Sequence, residues 1–122
     1  MRYLLDSVIV IDHLNGIDAA TDFLLCHSDL CALSVITRAE VLAGCADEQE
    51  ATVTSLLSHF PTLPLTVDIG DLAARLRRSD RLKLPDAFQA AVAITHKLSL
   101  VTRNTRDFRP GGDLSVLIPY EL

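Results

Sequence analysis

The sequence predicts an α/β domain in three layers: a parallel sheet of about five short strands with helices on both faces. Three observations predict it. Short apolar segments alternate along the chain with stretches of helical periodicity, the pattern of repeated strand–helix units. Those apolar segments carry no polar alternation, which fits strands buried on both faces. The chain has 122 residues, of which 49% are hydrophobic and 22% charged. That is one domain's length, with enough apolar surface for one full core, so a single domain over residues 1–122 is expected.

Each element has a local reason. Tyr3-Leu4-Leu5 is the first strand, with a helical stretch to about Leu14 directly behind it. Asp18 to Cys26 reads as a helix, because Ala19, Ala20, Phe23 and Leu24 recur at helical spacing. Leu30 to Leu33 is the second strand. Ser34 is placed to cap a helix that runs to Ala43 and that Gly44 ends. A further helix spans about Asp47 to His59. Thr62 to Leu65 is the third strand, and Ile69 to Ser79 is helical, with Leu72 and Leu76 on one face. Pro85 suits the first turn of a helix that continues to about His96. Ser99 to Val101 and Ser115 to Ile118 are the fourth and fifth strands.

Composition excludes several classes. No apolar run approaches the ~20 residues of a membrane helix. An acid interrupts the N-terminal apolar stretch at Asp6, so no signal peptide is read there and a cytoplasmic location is expected. Cys26, Cys31 and Cys45 form no CxxC pair and sit among apolar neighbours, which points to buried, reduced thiols. His13, His27, His59 and His96 lack metal-ligand spacing. There is no GxGxxG and no GxxxxGK[ST], which removes dinucleotide-binding and P-loop enzymes. The net charge is −5, split as −7 over residues 1–60 and +2 over residues 61–122. Such a chain is a poor nonspecific nucleic-acid binder. Its basic residues nevertheless cluster. Arg75, Arg77, Arg78, Arg81 and Lys83 form one set, and Arg103, Arg106 and Arg109 another. Either set fits local phosphate contact or a solvated surface.

In open parallel sheets the ligand site lies beyond the carboxyl ends of the strands, where strand order reverses. Four acids fall at or near such positions. Asp6 follows strand one among Leu4, Leu5, Val8, Ile9 and Val10, where a buried carboxylate is costly unless capped, paired or bound to metal. Capping the next helix is its ordinary explanation. Glu40 shares a helical stripe with Ile36, Ala39 and Ala43, a face expected to pack; a narrow exposed edge shared with Arg38 is the alternative. Asp86 opens the Ala-rich helix, a placement the helix dipole favours without any function. Asp107 lies in a polar loop after strand four, where turn residues are common. Jointly they point further. If strands one and four are neighbours, all four acids can reach one crevice. Like charges there force protonation unless a cation is present. An all-oxygen donor set selects Mg²⁺ or Mn²⁺, and with it phosphoryl chemistry.

These segments resemble the PIN domain, and within it the small VapC-type toxin ribonucleases of type II toxin–antitoxin systems. The resemblance spans the chain from Leu4 onward. It rests on Leu4-Leu5-Asp6-Ser7, on Ser34 to Gly44 with Glu40 as its acid, on Leu84-Pro85-Asp86-Ala87, and on Leu100 to Phe108 with Asp107. Val8 stands where the family often has Asn. The resemblance implies the strand order 3-2-1-4-5 and an Mg²⁺- or Mn²⁺-dependent endoribonuclease. It implies tRNA or rRNA as substrate class, arrested translation, a cognate antitoxin that blocks the site, and a homodimer. It assigns Asp6, Glu40, Asp86 and Asp107 to catalysis and metal binding. Ser7, Thr102 and Asn104 are then hydrogen-bonding supports, and Arg103 and Arg106 draw in the RNA backbone. Other readings are a stand-alone PIN nuclease in RNA processing and a non-catalytic PIN-like binding module. A response-regulator receiver domain fits poorly, since Leu63-Pro64-Leu65-Thr66 offers no phospho-acceptor Asp and no Lys follows Lys97.

Overall fold

A computed structural model, which describes residues 1–108 and 112–122, places five parallel strands in the order β3-β2-β1-β4-β5. The strands are β1 (Tyr3–Leu5), β2 (Cys31–Ser34), β3 (Thr62–Leu63), β4 (Ser99–Val101) and β5 (Val116–Leu117). Every pair is parallel, with Leu4 opposite both Ala32 and Leu100. The outer strands β3 and β5 are two residues long, so little unpaired edge is offered to other chains. The helices are α1 (Ser7–Leu14), α2 (Asp18–His27), α3 (Val35–Ala43), α4 (Glu50–Leu57), α5 (Val67–Asp80) and α6 (Leu84–His96). Class, strand order and layering are those expected. The stretch expected as one helix from Asp47 begins instead with a 3₁₀ turn, Asp47–Gln49. Among the described residues no helix is long and apolar enough to cross a membrane.

Strand periodicity divides the core in two. Leu5, Cys31, Leu33 and Val101 face α1 to α4, where they meet Ile9, Val10, Leu24, Val41 and Leu57. Leu4, Ala32 and Leu100 face α5 and α6, where they meet Ile69, Ala73, Ala87 and Ala91. Both faces of each central strand are apolar, hence the missing alternation in the sequence. The alanines of α6 let that helix lie close to the sheet and to α5.

Local capping sets the helix starts, at Ser34 as expected and, for the helix expected from Ile69, two residues earlier at Val67. The Ser34 side chain accepts a hydrogen bond from the Thr37 amide at the start of α3, and Thr66 does the same for Ile69 at the start of α5. Two expectations are corrected. On α3 the buried residues are Thr37 and Val41, not the Ile36–Ala39–Glu40–Ala43 stripe, whose last three residues are exposed. The helix turns its Thr37–Val41 side inward, so Glu40 lies on an open face. Of the cysteines only Cys31 is buried; Cys45 is half-buried and Cys26 exposed. Ala20 and Leu24 mark the inward side of α2, and Cys26, two residues past Leu24, falls on the outer one.

Candidate active site

Strand order reverses between β1 and β4, and the chain leaves both strands at the same end of the sheet. The Asp6 amide, one residue past β1, donates to the Val101 carbonyl at 2.9 Å. Asp6 is therefore fixed beside Thr102, one residue past β4.

Asp6 is 7% exposed, and its carboxylate accepts only from neutral donors. The Ser7 amide donates to Oδ1 at 2.9 Å, which makes Asp6 the cap of α1 as well. The Gln89 amide donates to the same oxygen at 3.3 Å. The Thr102 hydroxyl donates to Oδ2 at 2.7 Å. Behind it lies a buried polar cluster. Gln89 also donates to the Thr37 hydroxyl at 2.6 Å and accepts from the Ser34 hydroxyl. Thr37 in turn donates to the Leu5 carbonyl at 2.9 Å. No buried side-chain polar atom among the described residues lacks a partner. β1, β2, α3 and α6 are thus tied together directly beneath Asp6, and its side chain is held in one orientation.

The other acids come from the elements around this point. Asp86 stands in the first turn of α6. Its carboxyl is pushed up to about 6, first by burial and then by the negative charges of Asp107, Asp6 and Glu40, with Lys83 pulling the other way. Glu40 is also raised, by burial first and by Asp6, while the Ser7 side chain opposes the shift. Asp6, Ser7, Glu40, Asp86, Asn104 and Arg106 line an open cleft of about 470 Å³. Asp107 is in a turn, where the Asn104 side-chain amide donates to its carboxylate at 2.9 Å. It does not line this cleft but borders the neighbouring cavity, so its effect on Asp86 is one of charge.

The expected basic residues divide. Arg106 is exposed at the cleft wall. Arg103 also borders the cleft, but its guanidinium grips Asp12, with Nε at 2.6 Å and a terminal nitrogen at 2.9 Å. The Tyr120 hydroxyl donates to the same carboxylate at 2.8 Å. This pairing holds Asp12 below the usual carboxylate range, despite burial. Arg103 is therefore committed to a structural pair rather than free for phosphate. Arg109 lies outside the described residues.

Sequence reasoning missed Gln89, Thr37, Asp12 and Tyr120. Gln89 had a signal: it is a polar residue inside an Ala-rich helix, three positions from Asp86 and so on the same face. Asp12 had one too, as a second acid closing the run Val8-Ile9-Val10-Ile11. Tyr120, near the C-terminus, carried none.

The arrangement can take a hard divalent cation. The donors are all oxygens, and Asp86 is raised by burial and then by three neighbouring acids, which is the electrostatic need a cation meets. Among the described residues, however, no three His, Cys, Asp or Glu side chains converge enough to enclose an ion by themselves. This suits Mg²⁺, which keeps several waters and takes one or two carboxylates together with substrate phosphate.

Comparison with known proteins gives an independent bearing. The family model described as PIN domain matches residues 3–110. Ribonuclease VapC10 of Mycobacterium tuberculosis is 37% identical over 112 residues, covering 86% of this chain and 84% of that protein. Ribonuclease VapC19 of the same organism is 34% identical over 119 residues, covering 91% and 95%. A solved toxin–antitoxin complex from Klebsiella pneumoniae contains a chain of 37% identity with a TM-score of 0.90, matched over 98% of this chain and 99% of that one.

Proposed function

Because the chain belongs to the PIN-domain family, we propose that it is a metal-dependent endoribonuclease and the toxin of a toxin–antitoxin pair. The observation that carries the reading is the cleft itself. Asp6 is buried with neutral donors alone, facing an Asp86 that burial first, and then its acidic neighbours, push up to about 6. A group of acids left without a cation is poor structural design and good ion-binding design.

In this reading Asp6 and Asp86 hold Mg²⁺ or Mn²⁺. Glu40 completes the negative field directly or through water, and Asp107 adds its charge from the neighbouring cavity. A bound ion would ease deprotonation of a coordinated water and offset charge on the leaving oxygen of the phosphodiester. The protein's own residues do the remaining work. Thr102, Gln89 and the Ser7 amide hold the Asp6 carboxylate in one orientation, so no reorganisation is needed when phosphate arrives. Asn104 fixes Asp107. Arg106 offsets the repulsion between an acidic cleft and an RNA backbone.

The relatives' names support a ribonuclease, and the solved neighbour's name supports an antitoxin partner. We extend this to tRNA or rRNA as substrate, to inhibition of translation in the cytoplasm, and to a homodimer. The experiment is purified protein on total RNA with Mg²⁺, with EDTA, and as Asp6→Asn. Discrete cleavage products in the first condition alone support the reading. Equal cleavage in all three overturns it.

A further inference from the structure

Apart from the pull of Lys83 on Asp86, the Arg-rich corner after α5 takes no part in the cleft described above. Arg75, Arg77, Arg78, Arg81 and Lys83 are all exposed. None pairs with a carboxylate; among the described residues the Arg103–Asp12 pair is the one salt bridge. Arg77 donates instead to the Leu82 carbonyl at 2.8 Å, which folds the corner back on α5. On a chain of net charge −5 this is a marked local excess of cations. Beside it is a cavity of about 740 Å³, between α5, α6 and the chain that follows β4. Leu72, Leu76, Ala90 and Ile94 give it an aliphatic lining, and Arg81, Lys83 and Arg106 bring cations to it. Arg77 and Arg78 continue the cationic surface beyond Arg81. Arg106 also lines the acidic cleft, so the two spaces share a wall.

We propose that this corner is the subsite for the nucleotide next to the scissile phosphate: the RNA backbone lies along Arg81, Lys83 and Arg106, and one unpaired base enters the cavity. The inference rests on the nuclease reading above. Its support is the way charge is distributed. Asp80, Asp107 and Asp113 border the cavity as well. An acidic peptide would bring further negative charge against them. A single RNA strand instead alternates an anionic backbone with neutral bases. Its phosphates match the cations, and the amino groups of a base are donors a carboxylate accepts, as carboxylates do from cytosine N4. The volume falls within the ~300–1,000 Å³ of small-molecule sites, and an unstacked base presents the flat apolar face such a lining covers.

Arg81 allows a clean test. It ends α5 in the left-handed conformation, with φ 58° and ψ 29°, where glycine is the better residue. Arg81→Gly therefore removes the cation while keeping or raising thermal stability. The assay is binding of a labelled, mixed-sequence single-stranded RNA to the uncleaving Asp6→Asn protein across a salt series, with Arg81→Gly and then Lys83→Gln added. We expect each change to weaken binding about threefold to tenfold at low salt and to reduce the log–log salt slope by ~0.7. A fully abasic strand of the same length should bind more weakly with its slope unchanged. An unchanged slope in the double variant overturns the proposal, including the case where the same changes weaken antitoxin binding instead. Cleavage by the wild-type chain, run in parallel, separates the two ideas. Cleavage with an unchanged slope sinks the subsite alone; no cleavage with Mg²⁺ sinks the nuclease reading and the subsite with it.

Discussion

Asp6 and Asp12 stand six residues apart at the start and within α1, and they are 7% and 5% exposed. Burial alone does not distinguish them; their partners do. Asp12 accepts from a guanidinium and a phenol and is held low. It behaves as half of a structural pair that ties α1 to the segments after β4 and β5. Asp6 accepts from an amide, a carboxamide and a hydroxyl, with further acids across the cleft and no cation paired to it. A buried carboxylate that already has its cation is part of the scaffold. One that has been oriented but left without a cation is open to a ligand.

The comparison breaks most sharply on activity. Asp6→Asn keeps an acceptor for the Ser7 amide but removes the charge, so Mg²⁺-dependent cleavage should fall by about 10²–10³-fold with the melting temperature nearly unchanged. Cleavage assays beside thermal unfolding check both halves. If the loss of activity merely tracks a loss of folded protein, Asp6 belongs with Asp12 as scaffold. Gln89→Leu should be next in size. It leaves Asp6 less firmly oriented, leaves the Ser34 hydroxyl without its acceptor and takes one of two partners from the Thr37 hydroxyl, so activity should drop about 10- to 100-fold, with a destabilisation of about 1–3 kcal/mol. Titration of Mg²⁺ against activity should show weaker apparent ion affinity in this variant.

Asp12→Asn should show the opposite signature. It leaves the Arg103 guanidinium without its counter-charge, which costs roughly 3–5 kcal/mol for a fully buried pair. Arg103 is one-third exposed, so about 2 kcal/mol is expected, or a fall of roughly 6–8 °C in melting temperature. Specific activity per folded molecule, measured below the transition, should stay within about twofold. A variant as stable as wild type but inactive would move Asp12 into the site.

The contrast between the two acids also marks what the sequence made legible. Elements and the acids at strand ends follow from local signals: apolar runs, caps, Pro85, and the rule about the carboxyl ends of parallel strands; the strand order came only with the resemblance of those segments to the PIN domain. Asp6 was visible because a lone acid in an apolar run is costly wherever it folds. Asp12 satisfied the same description, and nothing in a one-dimensional pattern says that Arg103, 91 residues away, would reach it. The role expected of Arg103 therefore went to RNA when its geometry gives it to Asp12. Gln89 was hidden for the converse reason. Its value depends on Ser34 and Thr37 arriving from β2 and α3, a long-range packing event. The sequence points α3 the other way because Ile36 and Ala39 are more apolar than Thr37, and it takes the Leu5 carbonyl and Gln89 together to make Thr37 an interior residue.

The smallest expected effect is the most direct reading of the electrostatics. Asp86 in the fold sits near 6 against an ordinary 3.8. Folding therefore favours its protonated form, a contribution that is full below about pH 4 and gone as pH rises past about 6. In EDTA, Asp86→Asn should then be more stable than wild type above pH 6, and the difference should close below pH 4. Two pH units convert to roughly 3 kcal/mol, but Asp86 is only partly buried and solvent screens it, so about 1 kcal/mol is expected, roughly 3–4 °C. Asp12 is shifted the other way, and its contribution should fade as pH falls below about 4. Excess Mg²⁺ should reverse the ranking at neutral pH, because an ion bound only by folded wild type stabilises it by mass action. Unfolding curves at pH 4, 6 and 8, with and without Mg²⁺, read all of this in one series. If Asp86→Asn gains nothing in EDTA at pH 8, its acidic neighbours do not crowd it, and the case for a cation in the cleft loses its electrostatic basis.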